Sequence, residues 1–377
     1  MRILQICSLI TPNGAYGGPV RVAVNQTREL LQAGHEVTLL AGSYGFGPDL
    51  PKLYDGIPVS LFPARRIIPG TGFAGLTSAG LLRSLRKHAA DADVLHIHLA
   101  RDFITLPAAR WARKHRKPYI VQPHGMVDPS SHPLAVPLDA IWTRPVLRDA
   151  SNVLYLTEVE RAALAEVART PLRLLDLGNG VPAVHTSFTP DNSKAPEVLF
   201  LARLHPRKRP LAFITVARAL SAKFSNATFR LVGPDEGEGA ACVRAIKDAS
   251  LGDRLRWEGP VAPERTTSRL EQASIYVLPS IDEPFPMSVL EAMSLGKPVV
   301  VTNTCGLADV IRDAQAGIVV DDSLEALTDA VSTLLADPQL RRSMGHNGFT
   351  IVRERFSMQE VQRRLQEVYR SATTEES

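Results

Sequence analysis

Short apolar runs alternate with amphipathic stretches along the whole chain, the pattern of parallel strand–helix units. In the first half, strands are predicted near Arg2–Cys7, Glu36–Ala41, Val59–Phe62, Val94–His98, Tyr119–Gln122, Val153–Leu156 and Leu172–Leu177. Helices are predicted between them, among them Val20–Ala33, stopped by Gly34, and Phe103–Arg116, followed by Pro118. Thr157 and Glu160 have the spacing of a capping box that opens a helix through Ala168. Residues 183–196 are polar and aperiodic and form the best linker candidate. A second series follows at Val198–Leu201, Phe229–Val232, Leu255–Trp257, Ile275–Leu278, Val299–Thr302 and Ile318–Val320, and the chain ends in helices, the last near Gln359–Arg370. Two doubly wound α/β halves joined by a hinge are expected, with ligands outside the carboxyl ends of the strands, facing the cleft between lobes.

At 377 residues the chain has room for two domains, each able to bury its own core. Hydrophobic residues at 45% and charged residues at 22% exclude disorder, collagen and coiled coil as the main architecture. Cys7, Cys242 and Cys305 are too scattered for a disulfide framework or a zinc knuckle and suit a reducing, cytoplasmic setting. No segment reaches the ~18 apolar residues that span a bilayer. The apolar start contains Gln5 and runs into Pro12-Asn13-Gly14, so it reads as a buried strand rather than a signal peptide. The net charge of +4 is unevenly spread: residues 1–185 hold 20 Lys+Arg against 14 Asp+Glu, and the remainder 23 against 25. The basic front half suggests an anionic partner (phosphate, a membrane surface or nucleic acid), unless it is only a solvated face.

Four segments could carry chemistry. The loop Thr11–Gly18, ending in Gly17 and Gly18 before Pro19, could bring backbone amides to a phosphate, although its spacing is not the dinucleotide fingerprint. His124, Gly125 and Asp128 follow a strand end, where catalytic groups are expected and where an ordinary turn is also common. His96 and His98 share a strand face, without a third residue at metal-ligand spacing. Arg203, His205, Arg207, Lys208 and Arg209 crowd the end of another strand, as a phosphate clamp or a solvated turn. The fourth segment, Pro279–Met293, sets Glu283 in a loop and Glu291 in the first turn of a helix, before Gly296-Lys297-Pro298 and an apolar strand. Read plainly, Ser288-x-x-Glu291 is a capping box and Glu283 a surface carboxylate. A glycosidase pair is the other reading, with both residues flanking one bond.

Residues 198–300 resemble the family 4 glycosyltransferases, the group 1 glycosyl transferases of GT-B fold. The resemblance rests on E-x7-E at Glu283 and Glu291, the Gly296–Val300 strand entry, and Arg203 with Lys208. Gly17-Gly18, His124-Gly125 and Asn179–Val181 extend it over nearly the whole chain in the family's order. It implies two Rossmann-like domains, 1–184 on the acceptor side and 185–356 for the nucleotide sugar, with a terminal helix about 357–372 packing back on the first. It implies retaining transfer of a hexose from a UDP- or GDP-sugar to a hydroxyl of a saccharide or lipid-linked acceptor, as in polysaccharide or glycolipid synthesis, without a metal or other cofactor. By the same resemblance Arg203, Lys208 and the amides of Met287, Ser288 and Val289 meet the leaving diphosphate, and Gly17 and Gly18 touch it. Glu291 holds the ribose, Glu283 reads the donor sugar, and His124 lies against that sugar.

Three segments depart from the family's pattern: Glu283-Pro284-Phe285-Pro286 for Glu-Gly-Phe-Gly, Arg209 for the glycine after the lysine, and Cys305–Asp309 for Gly-Gly-x-x-Glu. Arg65, Arg66, Arg83, Arg86 and Lys87 around Phe73–Leu85 suggest peripheral contact with an anionic membrane at its inner face, although Leu81, Leu82 and Leu85 also have core spacing. No nucleic-acid partner is expected. The alternatives are a GT-B epimerase or phosphorylase, a bilobed solute-binding protein, and a metal-dependent transferase using Asp91-Ala92-Asp93, a motif that precedes its strand.

Overall fold

A computed structural model describes residues 1–12, 17–67, 74–182, 187–188 and 195–374. The chain divides into two compact units, Met1–Gly180 with Met358–Ser377, and Val181–Ser357. Most of the linker candidate and Phe73 lie outside the described residues.

The N-terminal unit carries β1 (Arg2–Ile10), β2 (Glu36–Ser43), β3 (Leu53–Tyr54), β4 (Ile57–Pro63), β5 (Arg65–Arg66), β6 (Leu76–Thr77), β7 (Val94–Ile97), β8 (Tyr119–Val121), β9 (Asn152–Tyr155) and β10 (Leu174–Asp176). Its main sheet has the order β10-β9-β8-β7-β1-β2-β4-β3, parallel except for β3 on β4, while β5 and β6 form a small antiparallel ribbon. The other unit carries β11 (Glu197–Leu201), β12 (Thr228–Val232), β13 (Leu255–Trp257), β14 (Ile275–Leu278), β15 (Val299–Thr302) and β16 (Gly317–Val320) in the order β13-β12-β11-β14-β15-β16, all parallel. The strands read from the apolar runs are all present. The two-residue strands β3, β5 and β6 are too short to show a period.

Strands β7, β8, β14 and β15 are buried at every residue. That is why they read as unbroken Val, Ile and Leu runs: a parallel sheet is covered on both faces. In each sheet the chain reverses its direction of travel once, between β1 and β7 and between β11 and β14. Loops leaving the carboxyl ends of adjacent strands part at such a point and leave room for a ligand.

Helix Met358–Thr374 belongs to the N-terminal unit. Its Met358, Val361, Leu365, Val368, Tyr369 and Ala372 share one face and are buried with Ile3, Leu30, Val94 and Ile120. Gly180 lies against this helix, where an added Cβ would stand 2.5 Å from Met358 Sδ. In helix Ala79–Ala90, Leu81 and Leu85 are fully buried and Leu82 packs against the same core, while Arg83, Arg86 and Lys87 are exposed. The leucine spacing there is core packing.

Candidate active site

In the C-terminal unit the loops after β11 and β14 are tied together. The Ile281 amide donates to the Arg207 carbonyl at 2.9 Å. Lys208 Nζ donates to Glu283, and both side chains are about nine-tenths buried. Glu283 is therefore no surface carboxylate. Arg207 approaches the same carboxylate at 3.8 Å. Burial pushes the Lys208 ammonium below its ordinary pKa, and Glu283 opposes that shift. Arg203 is exposed and holds both oxygens of Glu236, at 3.0 and 2.8 Å. Of the clamp candidates, Arg203, Arg207 and Lys208 thus each face a carboxylate.

Arg209 has φ 55, in the left-handed region that favours glycine. This accounts for the glycine usual at that position, and here the Arg209 guanidinium donates to the Asp322 carbonyl at 2.7 Å.

Helix Met287–Ser294 begins after Pro286, whose carbonyl accepts from the Val289 amide at 3.1 Å. The Val289 amide is thus engaged within the first turn of the helix. Met287 and Ser288 remain at the open end of the helix. Ser288 is inside the helix, so it is not the cap, and Glu291 falls in the second turn, not the first. The Tyr276 hydroxyl is hydrogen-bonded to Ser288 Oγ at 2.7 Å and to the Leu201 carbonyl at 3.0 Å. Burial raises the Tyr276 pKa, and the charges of Glu291 and Glu283 add to the rise, so both glutamates act on one buried hydroxyl.

In the N-terminal unit a small cavity of about 290 Å³ opens at the β1/β7 reversal, lined by Ser8, Gly18, His98 and Met126 among others. Beneath it His96, His98 and His124 form a stack, with ring centroids 4.6 and 5.1 Å apart. His98 Nε2 lies 3.3 Å from Gln5 Oε1, an oxygen that also accepts from the Thr27 hydroxyl. This network assigns the proton of neutral His98 to Nε2. His98 Nδ1 then accepts from His124 Nε2 at 2.8 Å. His124 Nδ1 is buried, and a side-chain hydrogen bond with Asn179 raises the His124 pKa against its desolvation. His124 Nε2 is thus taken up by His98, while the residue as a whole is half-buried.

The rest of the stack is closed by the terminal helix, whose Tyr369 hydroxyl meets His96 Nδ1 at 2.8 Å. Desolvation holds His96 and His124 down at about 3 and His98 well below its ordinary range. Among the described residues no group of three His, Cys, Asp or Glu side chains is placed to hold a metal. The column is not visible in the sequence, because His124 comes from a different segment from His96 and His98 and Tyr369 closes it from the far end of the chain. The equal facing of His96 and His98 was the one available sign.

The turn at His124 is strained, with φ 55 at His124 and 73 at Gly125. Glu160 pins it: its carboxylate accepts from the Gly125 amide at 2.5 Å and from the Leu156 amide at 2.7 Å. Thr157 caps its helix, taking the Glu160 amide at 3.2 Å, but Glu160 does not return to the Thr157 amide as a capping box would have it. Asp91 and Asp93 sit in a helix-to-strand turn, where Asp93 accepts the Arg2 amide at 2.8 Å.

Two parallel Rossmann-like units, each with polar groups gathered at its sheet's reversal point, define the GT-B class. The chain matches the family model of the glycosyl transferases group 1 over residues 186–350 and that of the glycosyl transferase 4-like domain over 17–180, and it belongs to this family of glycosyltransferases. It is similar to the D-inositol 3-phosphate glycosyltransferase of Paenarthrobacter aurescens, with 32% identity over 181 residues, 47% of this chain and 44% of that protein. The chain thus spans less than half of that relative. The protein of the same name from Nocardia farcinica is 26% identical over 378 residues, 89% of this chain and 81% of that one. Among solved structures, Anabaena HepE in complex with UDP superposes with a TM-score of 0.75 at 18% identity, over 98% of this chain and 100% of that one.

Proposed function

We propose that the chain transfers a hexose from a UDP- or GDP-sugar to a hydroxyl of a saccharide or lipid-linked acceptor, with retention at the anomeric carbon and without a divalent metal. The bond from the anomeric carbon to the diphosphate oxygen breaks, the acceptor oxygen takes its place, and the hydroxyl proton is released. The Lys208–Glu283 contact at the β11/β14 reversal carries this reading, because it ties a buried cation to the loop that leads into helix Met287–Ser294. A cation and helix amides aimed at a leaving diphosphate are worth several kcal/mol of barrier, about 3–4 for one well-placed donor. Arg203 would add its guanidinium by exchanging Glu236 for phosphate. Gly17 and Gly18 would approach the diphosphate by backbone, and His124 would lie against the donor sugar.

The test is calorimetric titration with UDP, GDP and their hexose conjugates, followed by turnover in EDTA with the product anomer read by NMR. Binding of one nucleotide class and an undiminished rate in EDTA are expected. Loss of activity in EDTA, restored by manganese, would overturn metal independence, and an inverted anomer would overturn retention.

The two glutamates should separate. Glu291→Ala is expected to weaken nucleoside diphosphate binding, because the ribose is common to nucleotide and donor. Glu283→Ala should spare that affinity and damage transfer. Equal loss of nucleotide affinity in both variants would refute the division of roles.

A lipid-linked acceptor would place the enzyme at a membrane surface. No helix among the described residues is long and apolar enough to cross a membrane. Exposed Arg65, Arg66, Arg83, Arg86 and Lys87 are the proposed contact. Co-sedimentation with anionic vesicles, reversed by salt and abolished by Glu at 83, 86 and 87, is expected. Binding that survives both would show that the contact lies elsewhere.

A further inference from the structure

Beside the site already described, the N-terminal unit has a cavity of about 630 Å³, within the range of small-molecule pockets. Phe103, Leu134, Leu138, Ile141 and Trp142 form its apolar wall, with Ala74 at one side. Trp142 is fixed edge-on against Phe103, and the Arg110 guanidinium lies over its ring at 5.3 Å. A π-helical turn, Asp139–Thr143, carries both Ile141 and Trp142. Leu134, Val136 and Ile141 are each more than half exposed, an unusual run of large apolar side chains facing solvent within eight residues.

The positive charge at this wall is already countered. Arg101, its one permanently charged side chain, holds Asp139 through two bonds of 2.9 and 2.8 Å and Asp128 at 3.2 Å. An anion would have to compete with two carboxylates, whereas a neutral hydrocarbon would not. The cavity is also linked to the β1/β7 reversal by the chain and by one hydrogen bond. Its walls leave the carboxyl ends of the paired strands β7 and β8. Asp102, between Arg101 and Phe103, accepts from the hydroxyl of Ser8, and Ser8 lines the smaller cavity beside Gly18 and His98.

We propose that this cavity holds the hydrocarbon part of an amphiphilic acceptor, while its sugar hydroxyl points toward the β1/β7 reversal. The proposal deepens the transferase reading and rests on it for the word acceptor. The probes are n-decyl β-D-glucoside, kept below its critical micelle concentration, and methyl β-D-glucoside, titrated separately into the full chain. The decyl glucoside is expected to bind at least tenfold more tightly. Ile141→Asp and Ala74→Trp, both at exposed positions, should each abolish that advantage and leave UDP or GDP affinity unchanged. Equal binding of the two glucosides, or a decyl advantage that survives both variants, would overturn the proposal. A decyl advantage lost in the variants, in a chain that binds neither nucleotide, would keep the apolar site and overturn the transferase reading instead.

Discussion

Lys208→Ala is expected to lower transfer at least ~100-fold, a loss of about 2.7 kcal/mol in transition-state stabilisation. The variant removes the buried cation that the proposal sets against the leaving diphosphate, and it strands Glu283 in a site about nine-tenths buried. Breaking a buried pair from one side typically costs about 3–5 kcal/mol of stability, so activity alone would be ambiguous. The double variant Lys208→Met with Glu283→Leu shows whether the pair as a unit serves transfer rather than folding, since an apolar pair of similar volume is often neutral or stabilising. It should melt near the parent and still be inactive.

Glu283→Gln gives an independent readout. Burial lowers the Lys208 pKa and Glu283 raises it, so removing the carboxylate charge lets the ammonium lose its proton at lower pH. The alkaline limb of the pH–rate profile should therefore move down. Near-normal turnover in Lys208→Ala, or an alkaline limb that stays in place in Glu283→Gln, would show that the Lys208 charge does not serve the reaction.

What could be read in the sequence follows from how local its cause is. The strands were legible because parallel strands are buried on both faces and leave unbroken apolar runs, as in Val299–Thr302. Arg203, Lys208 and Glu283 stood out because each follows such a run. Their contacts did not, since Lys208 meets Glu283 across 75 residues and Arg203 meets Glu236 across 33. Local signals also misled. Ser288 and Glu291 have capping-box spacing, but Pro286, with its φ already fixed and no amide to lose, starts the helix. Thr157 and Glu160 have the same spacing, but Glu160 is drawn away by the amides of Gly125 and Leu156. The Arg101–Trp142 cavity left no sequence sign at all, because its apolar side chains come from segments too short and irregular to show a period.

The histidine stack should make stability fall as the medium is acidified. His96 and His124 are held at about 3 in the folded chain, chiefly by desolvation, against 6.5 in the open chain, and His98 is also held well below 6.5. A base with a depressed folded pKa stays neutral while the unfolded chain takes up its proton. Between pH 6.5 and 3 the unfolded state therefore binds more protons, and stability rises with pH across that window. The contribution is complete above pH 6.5 and is lost as pH falls. Each such proton changes stability by at most about 1.36 kcal/mol per pH unit, so three give about 4. Asp102 and Glu160 act in the opposite sense, because burial raises their carboxyl pKa values and folding then favours proton uptake. The net slope is accordingly smaller, and the variant comparison isolates the histidines. His98→Gln keeps a hydrogen-bonding side chain between Gln5 and His124 and removes one titrating group. Urea unfolding from pH 7.5 to 5 should show little difference in slope above pH 6.5 and, below it, a slope shallower in the variant by up to about 1.36 kcal/mol per pH unit. Equal slopes below pH 6.5 would mean that His98 takes up its proton as readily in the folded chain as in the unfolded one, and the stack would not be a neutral column.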